Sequence, residues 1–147
     1  MRYWVILLVV LGVGFAGCKK EKITFQPYPV IRLVNTYPTL LVEFSSIVLF
    51  TLEYEDGDGD IGFEDADEYT IVLQDARLTE PDLYYVKPLA PLGSSVPIKG
   101  VLEIKLNSLF LLGSGAVTES TTFNIRLVDR AGNWSNIVTS PTITISP

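Results

Sequence analysis

The chain has 147 residues, a mass of 16.3 kDa, a formal charge of −6 and 48% apolar residues, a size that suits one domain and excludes two of ordinary size. It contains one Cys and no His. That excludes an internal disulfide, a thiolate zinc cluster, a Ser-His-Asp triad and any imidazole base or ligand.

Met1-Arg2 supplies a positive charge, Tyr3 to Phe15 is apolar, and Ala16-Gly17-Cys18 follows. The run falls short of the ~20 apolar residues that span a bilayer. A basic start, a short apolar core and small residues before a break predict an export signal over residues 1–17. Phe15-Ala16-Gly17-Cys18 is similar to the lipobox of bacterial lipoproteins, although that family usually has Leu where Phe15 stands. The resemblance implies cleavage before Cys18 and acylation of its sulfur and amine, so that the membrane becomes a partner through a lipid anchor. Two or more acyl chains suffice for stable anchoring, at about 0.8 kcal/mol per buried CH2. A mature chain of about 130 residues would remain, enough to bury a core without disulfides. Residues 18–29, with Lys19-Lys20-Glu21-Lys22 and two prolines, read as a tether. The residue after the Cys is Lys19 and not Asp, so the resemblance implies the outer membrane, facing either periplasm or cell surface.

From residue 30 the apolar pattern has period two. Ile31–Val34 is a first strand. Ser46–Glu55 sets Val48, Phe50, Leu52 and Tyr54 on one face and Thr51, Glu53 and Glu55 on the other. Tyr69–Gln74 sets Tyr69, Ile71 and Leu73 inward and Thr70, Val72 and Gln74 outward. Leu83–Val86 reads as an edge strand. Val101–Asn107 points Leu102, Ile104 and Leu106 inward. Thr121–Val128 does so with Phe123, Ile125 and Leu127, and Thr142–Ile145 with Ile143 and Ile145. The prolines avoid the central strands. About seven short strands separated by turn signals predict an all-β fold over residues 30–147: an antiparallel β-sandwich, immunoglobulin-like or fibronectin-like. Leu109-Phe110-Leu111-Leu112 reads as a turn closing one end of the core.

Between Glu53 and Glu68 lie nine acids and no base; the rest of the mature chain is slightly basic. The centre is Asp56-Gly57-Asp58-Gly59-Asp60-Ile61-Gly62. Three carboxylates at alternate positions with glycines between suit a hard cation, because glycine lets the loop curl and turn successive oxygens inward. Ca2+ accepts 6–8 oxygen ligands in irregular geometry, whereas Mg2+ keeps a strict octahedron with several waters. Asp56, Asp58 and Asp60 fit the first, third and fifth positions of an EF-hand loop. Ile61 then stands where that loop needs Gly, and its twelfth position falls on Asp67. The flanks are strands, so this is not an EF-hand, though the same ligand logic applies. Asp129-Arg130-Ala131-Gly132-Asn133 follows the penultimate strand, at the end of an immunoglobulin-like sandwich where the acidic loop would also lie. Two readings oppose each other: Asp129 and Asn133 complete a Ca2+ site with Asp56, Asp58 and Asp60, or Arg130 neutralises the acids directly.

The acidic stretch Tyr54–Gly62, Asp75-Ala76-Arg77, the stretch Val128–Asn136 and the tail Ser140–Ile145 together resemble a family of small envelope lipoproteins of unassigned activity seen in Bacteroidota. The Asp-Arg-Ala-Gly-Asn stretch is also similar to one in many bacterial immunoglobulin-like domains. The resemblance implies an exported sandwich and brings no catalytic residues.

The function expected is a non-enzymatic binding or structural module of the cell envelope, with an envelope protein or glycan as partner and Tyr84, Tyr85 and Trp134 as candidate contacts. A carboxylate-based glycan hydrolase and an accessory subunit of an outer-membrane complex are the alternatives. An acidic, exported chain without a basic stripe excludes nucleic acid.

Overall fold

The computed structural model describes residues 25–113, 115 and 117–147. The proposed signal over residues 1–17, Cys18 and most of the tether lie outside the described residues. Ten strands follow in order: β1 (Val30–Tyr37), β2 (Leu40–Val42), β3 (Ile47–Asp56), β4 (Ile71–Asp75), β5 (Asp82–Tyr84), β6 (Ile98–Asn107), β7 (Glu119–Thr121), β8 (Phe123–Leu127), β9 (Val138–Thr139) and β10 (Ile143–Ser146). There is no helix among the described residues. The strands form three sheets, β1-β3-β6, β5-β4-β8-β9 and β2-β10-β7. All pairings are antiparallel except that of β10 with β2.

The expected all-β sandwich is the observed class, with more strands than the seven anticipated. Alternation explains its core. On β3, Val48, Phe50 and Leu52 are fully buried; on β8, Phe123, Ile125 and Leu127 are. The two rows meet, with the rings of Phe50 and Phe123 edge to face at 5.3 Å between centroids. Ile104 of β6, Leu73 of β4 and Ile143 and Ile145 of β10 complete the same core. Each such side chain contributes roughly 1.5–3 kcal/mol by leaving water.

Three differences have local causes. The stretch 121–128 is two strands, because the chain turns a corner at Thr122. Its carbonyl accepts from the Ala76 N–H, while β7 pairs with β10 and β8 with β4. Tyr69 is exposed and not inward, since β4 begins only at Ile71. Val72 is buried, because β4 is a central strand flanked on both sides. Leu109 and Leu111 do close one end of the core, and Phe110 stacks on Phe44 outside it, at 6.1 Å and 5°.

Candidate metal centre

The alternation that builds the core also builds the site. Continuing the inward row of β3 by one step beyond Tyr54 reaches Asp56, and one step beyond Leu127 on β8 reaches Asp129. Both are buried, at 0% and 1% exposure. Each comes from a different sheet, and they meet at one corner. The loop after Asp56 curls so that Asp58 and Asp60 turn back to the same point. One carboxylate oxygen from each of Asp56, Asp58, Asp60 and Asp129 lies within 4.8 Å of the other three.

Local hydrogen bonds hold this arrangement. The Asp60 N–H donates to Asp56 Oδ2 at 2.9 Å, four residues back, and closes the loop over that carboxylate. Ile61, fully buried, pairs its backbone with Asp129, and the Ala131 N–H donates to Asp60 Oδ2 at 3.1 Å. Gly62 has φ +90°, and a Cβ there would run into the Lys87 carbonyl, so only glycine fits. Gly57 needs no positive φ. It is glycine because the backbone passes directly under Gln26, whose carbonyl accepts from the Gly57 N–H at 2.7 Å.

The second loop contributes residue by residue. Asn133 donates from its backbone N–H to Asp129 Oδ1 at 2.7 Å and from Nδ2 to Oδ2 at 3.0 Å, so it orients Asp129. Arg130 Nη1 donates to the Gly62 carbonyl at 2.6 Å. Among the described residues no Lys or Arg nitrogen comes within 4.0 Å of the four carboxylates. The Arg130 neutralisation reading therefore lacks its ion pair. Ser135 Oγ accepts from the Leu127 N–H, and Asn136 exchanges two 2.9 Å hydrogen bonds with the Ile31 backbone, joining β1 to the other sheet.

The electrostatics are those of an acid cluster that the nearby Arg130 charge and the Ala131 N–H offset only in part. Burial, then the charge of Asp58, pushes the Asp56 carboxyl up to about 6. Burial and the neighbouring Asp129 raise Asp60 as well. Oδ1 of Asp56, of Asp58 and of Asp60 is shielded from solvent with no hydrogen-bond partner. Oxygens so placed are costly unless something binds them.

The far end of β8 provides a contrast inside the same molecule. Asp75, opposite Phe123, is also buried, but Arg77 Nη2 pairs with it at 2.7 Å. Thr121 Oγ1 donates to it, and Arg77 also reaches Glu119 at 3.0 Å and the Phe110 carbonyl. Burial would raise Asp75, yet the bonds from Arg77 and Thr121 outweigh it and leave the carboxyl lowered. One end thus supplies its own cation and the other does not.

Four of the anticipated ligands, Asp56, Asp58, Asp60 and Asp129, are brought together, and Asn133 stands behind Asp129. Asp67 is exposed and away from the cluster, its N–H bonded to Asp65. The fourth carboxylate is Asp129, as the placement of the two loops predicted. Of the candidate contacts, Tyr84 packs against the core, Trp134 lies under the Arg126 guanidinium at 3.9 Å, and Tyr85 is partly exposed. The chain matches no family model, no curated protein and no solved structure. Fold and site together define a β-sandwich with a buried acidic corner that can hold a metal ion.

Proposed function

We propose that the chain is a lipid-anchored binding or structural module of the cell envelope whose acidic corner takes Ca2+. The observation that carries the metal is the convergence of Asp56, Asp58, Asp60 and Asp129 on one point with three shielded, unpartnered oxygens and, among the described residues, no ion pair to any of them. Oxygens bound to one Ca2+ at about 2.3–2.6 Å lie no more than about 5 Å apart, which suits this spacing. An all-carboxylate oxygen set favours a hard cation over zinc or copper. Mg2+ fits less well, because it holds its waters and takes few carboxylates. A cation there ties the end of β3 to the end of β8 and so pins one sheet to the other. The proposed anchor rests on Phe15-Ala16-Gly17-Cys18.

Calorimetric titration of the purified chain with calcium tests the metal. Heat of binding to about one site per chain is expected, and no heat at millimolar calcium overturns it. Metabolic labelling with an alkynyl fatty acid tests the anchor. Label should enter the chain and vanish in Cys18→Ser; equal label in that variant refutes it.

A further inference from the structure

Every sheet edge but one is short or broken. β2, β5, β7 and β9 are only two or three residues long. β1 is broken by a bulge between Leu33 and Asn35. The remaining edge is β6, ten residues long, and its ten partners on β3 run without a register shift. Among the described residues nothing hydrogen-bonds to its outer side. A long, unbroken edge is a template for another strand.

The side chains of β6 specify the occupant. Its outer face reads Lys99, Val101, Glu103, Lys105 and Asn107, all exposed; its inner face reads Gly100, Leu102, Ile104 and Leu106. Charges that merely guard an edge work best with one sign, because a newcomer then meets only repulsion or bare lysines. Here Glu103 stands between Lys99 and Lys105, so the strand carries its own complement.

We propose that β6 pairs antiparallel with β6 of a second copy of this chain about a two-fold axis at Ile104, joining two three-stranded sheets into one of six. In that register Ile104 meets its own counterpart. Glu103 faces Lys105 of the second copy, and Lys105 faces Glu103. On the inner side the half-buried Leu102 lies opposite Leu106. Other registers fail for stated reasons. A one-residue slip turns every side chain to the wrong face. Centring on Glu103 sets Glu103 against itself, and centring on Leu102 sets Lys99 against Lys105; like charges directly opposite are unfavourable. Centring on Val101 pairs Lys99 with Glu103, but it places Pro97, which lacks an N–H, opposite Lys105, and Gly100 opposite Leu102.

The test is sedimentation equilibrium of the full chain in density-matched detergent. The wild type is expected to dimerise. Glu103→Lys sets lysine against Lys105 in both halves and should weaken the dimer at least about tenfold. The exchange Glu103→Lys with Lys105→Glu should return it to the wild-type constant, because the pairs are restored with their signs reversed. Both positions are exposed, so unchanged circular-dichroism spectra verify that folding is intact. A wild-type monomer overturns the proposal. A dimer indifferent to Glu103→Lys, or one that the double exchange does not rescue, overturns it equally. Exchange-protected β6 amides in a monomer would place residues 1–24 of the same chain on that edge, and would also refute it.

Discussion

Replacing Asp58 by Asn should have opposite signs with and without calcium. Asp58 reaches the cluster from the loop, is only half-buried, and has a shielded Oδ1 with no partner. Its chief interactions are with its acidic neighbours, whose carboxyls its charge pushes up. Two ionised carboxylates 4.8 Å apart repel by about 3.5 kcal/mol at an effective dielectric constant of ~20. Asp58 faces three others, but loop relaxation and partial protonation of Asp56 and Asp60 absorb much of the repulsion. A metal-free gain of about 2 kcal/mol is a reasonable net, or roughly 8 °C in a domain of this size. In calcium the order reverses. The wild type gains about 2.7 kcal/mol at a hundredfold excess over Kd, whereas the variant has lost a charged ligand and gains little. Scanning calorimetry of both proteins, once in excess EDTA and once in millimolar calcium, reads all four melting temperatures. If Asp58→Asn melts lower than wild type in EDTA, or if calcium lifts both proteins equally, the cluster is neither strained nor a calcium site.

The two buried acid groups should titrate with opposite effects on stability. Asp56 has its carboxyl raised to about 6, so the folded state holds that proton more tightly than the unfolded chain does. Its contribution in EDTA is full below about 3.8 and is lost as pH rises toward about 6. Calcium competes with the same proton, and the calcium-induced shift in melting temperature should shrink as pH falls through that window. Asp75 is lowered, so its contribution is present above its ordinary value and disappears only in stronger acid; a urea midpoint measured against pH separates the two. Arg77→Met leaves the buried Asp75 without the cation that pairs with it at 2.7 Å and should cost about 3–5 kcal/mol by urea unfolding. Gly62→Ala, at φ +90° and against the Lys87 carbonyl, should cost about 1–3 kcal/mol and weaken calcium binding by titration. An unchanged affinity would mean that the loop's curl does not set the ligand geometry.

Alternation made most of this fold legible. The inward rows of β3, β6, β8 and β10 were readable because each has one buried and one solvated face, which is the condition for a clean period of two. The same rule, carried one residue further on β3 and one step beyond β8, accounts for the burial of Asp56 and Asp129. Their joint position depended on which strands are neighbours across the sandwich, and here the expected pole was the observed one. Other features were not legible. β2, β7 and β9 have two or three residues each and carry no period. Tyr69 has the right parity for the core but lies before β4 begins. The pairing of the Ile61 backbone with Asp129, which brings the second loop onto the first, has no signal in the local spacing. The ion pair of Asp75 with Arg77 lies only two residues apart in the chain, yet the placement of Glu119 and Thr121 around it rests on the corner at Thr122.

The hydrogen bond from the Gly57 N–H to the Gln26 carbonyl decides how an anchored molecule would stand. It roots the described body beside the aspartates. The stretch from Cys18 to Phe25 reaches at most about 25 Å when fully extended, while β3 alone runs about 33 Å from that root to its far tip. If the proposed anchor at Cys18 holds, that root limits how far the aspartate corner can stand from the lipid. Phe44 and Phe110, exposed and stacked on each other, lie at the opposite tip, a full strand length from that root.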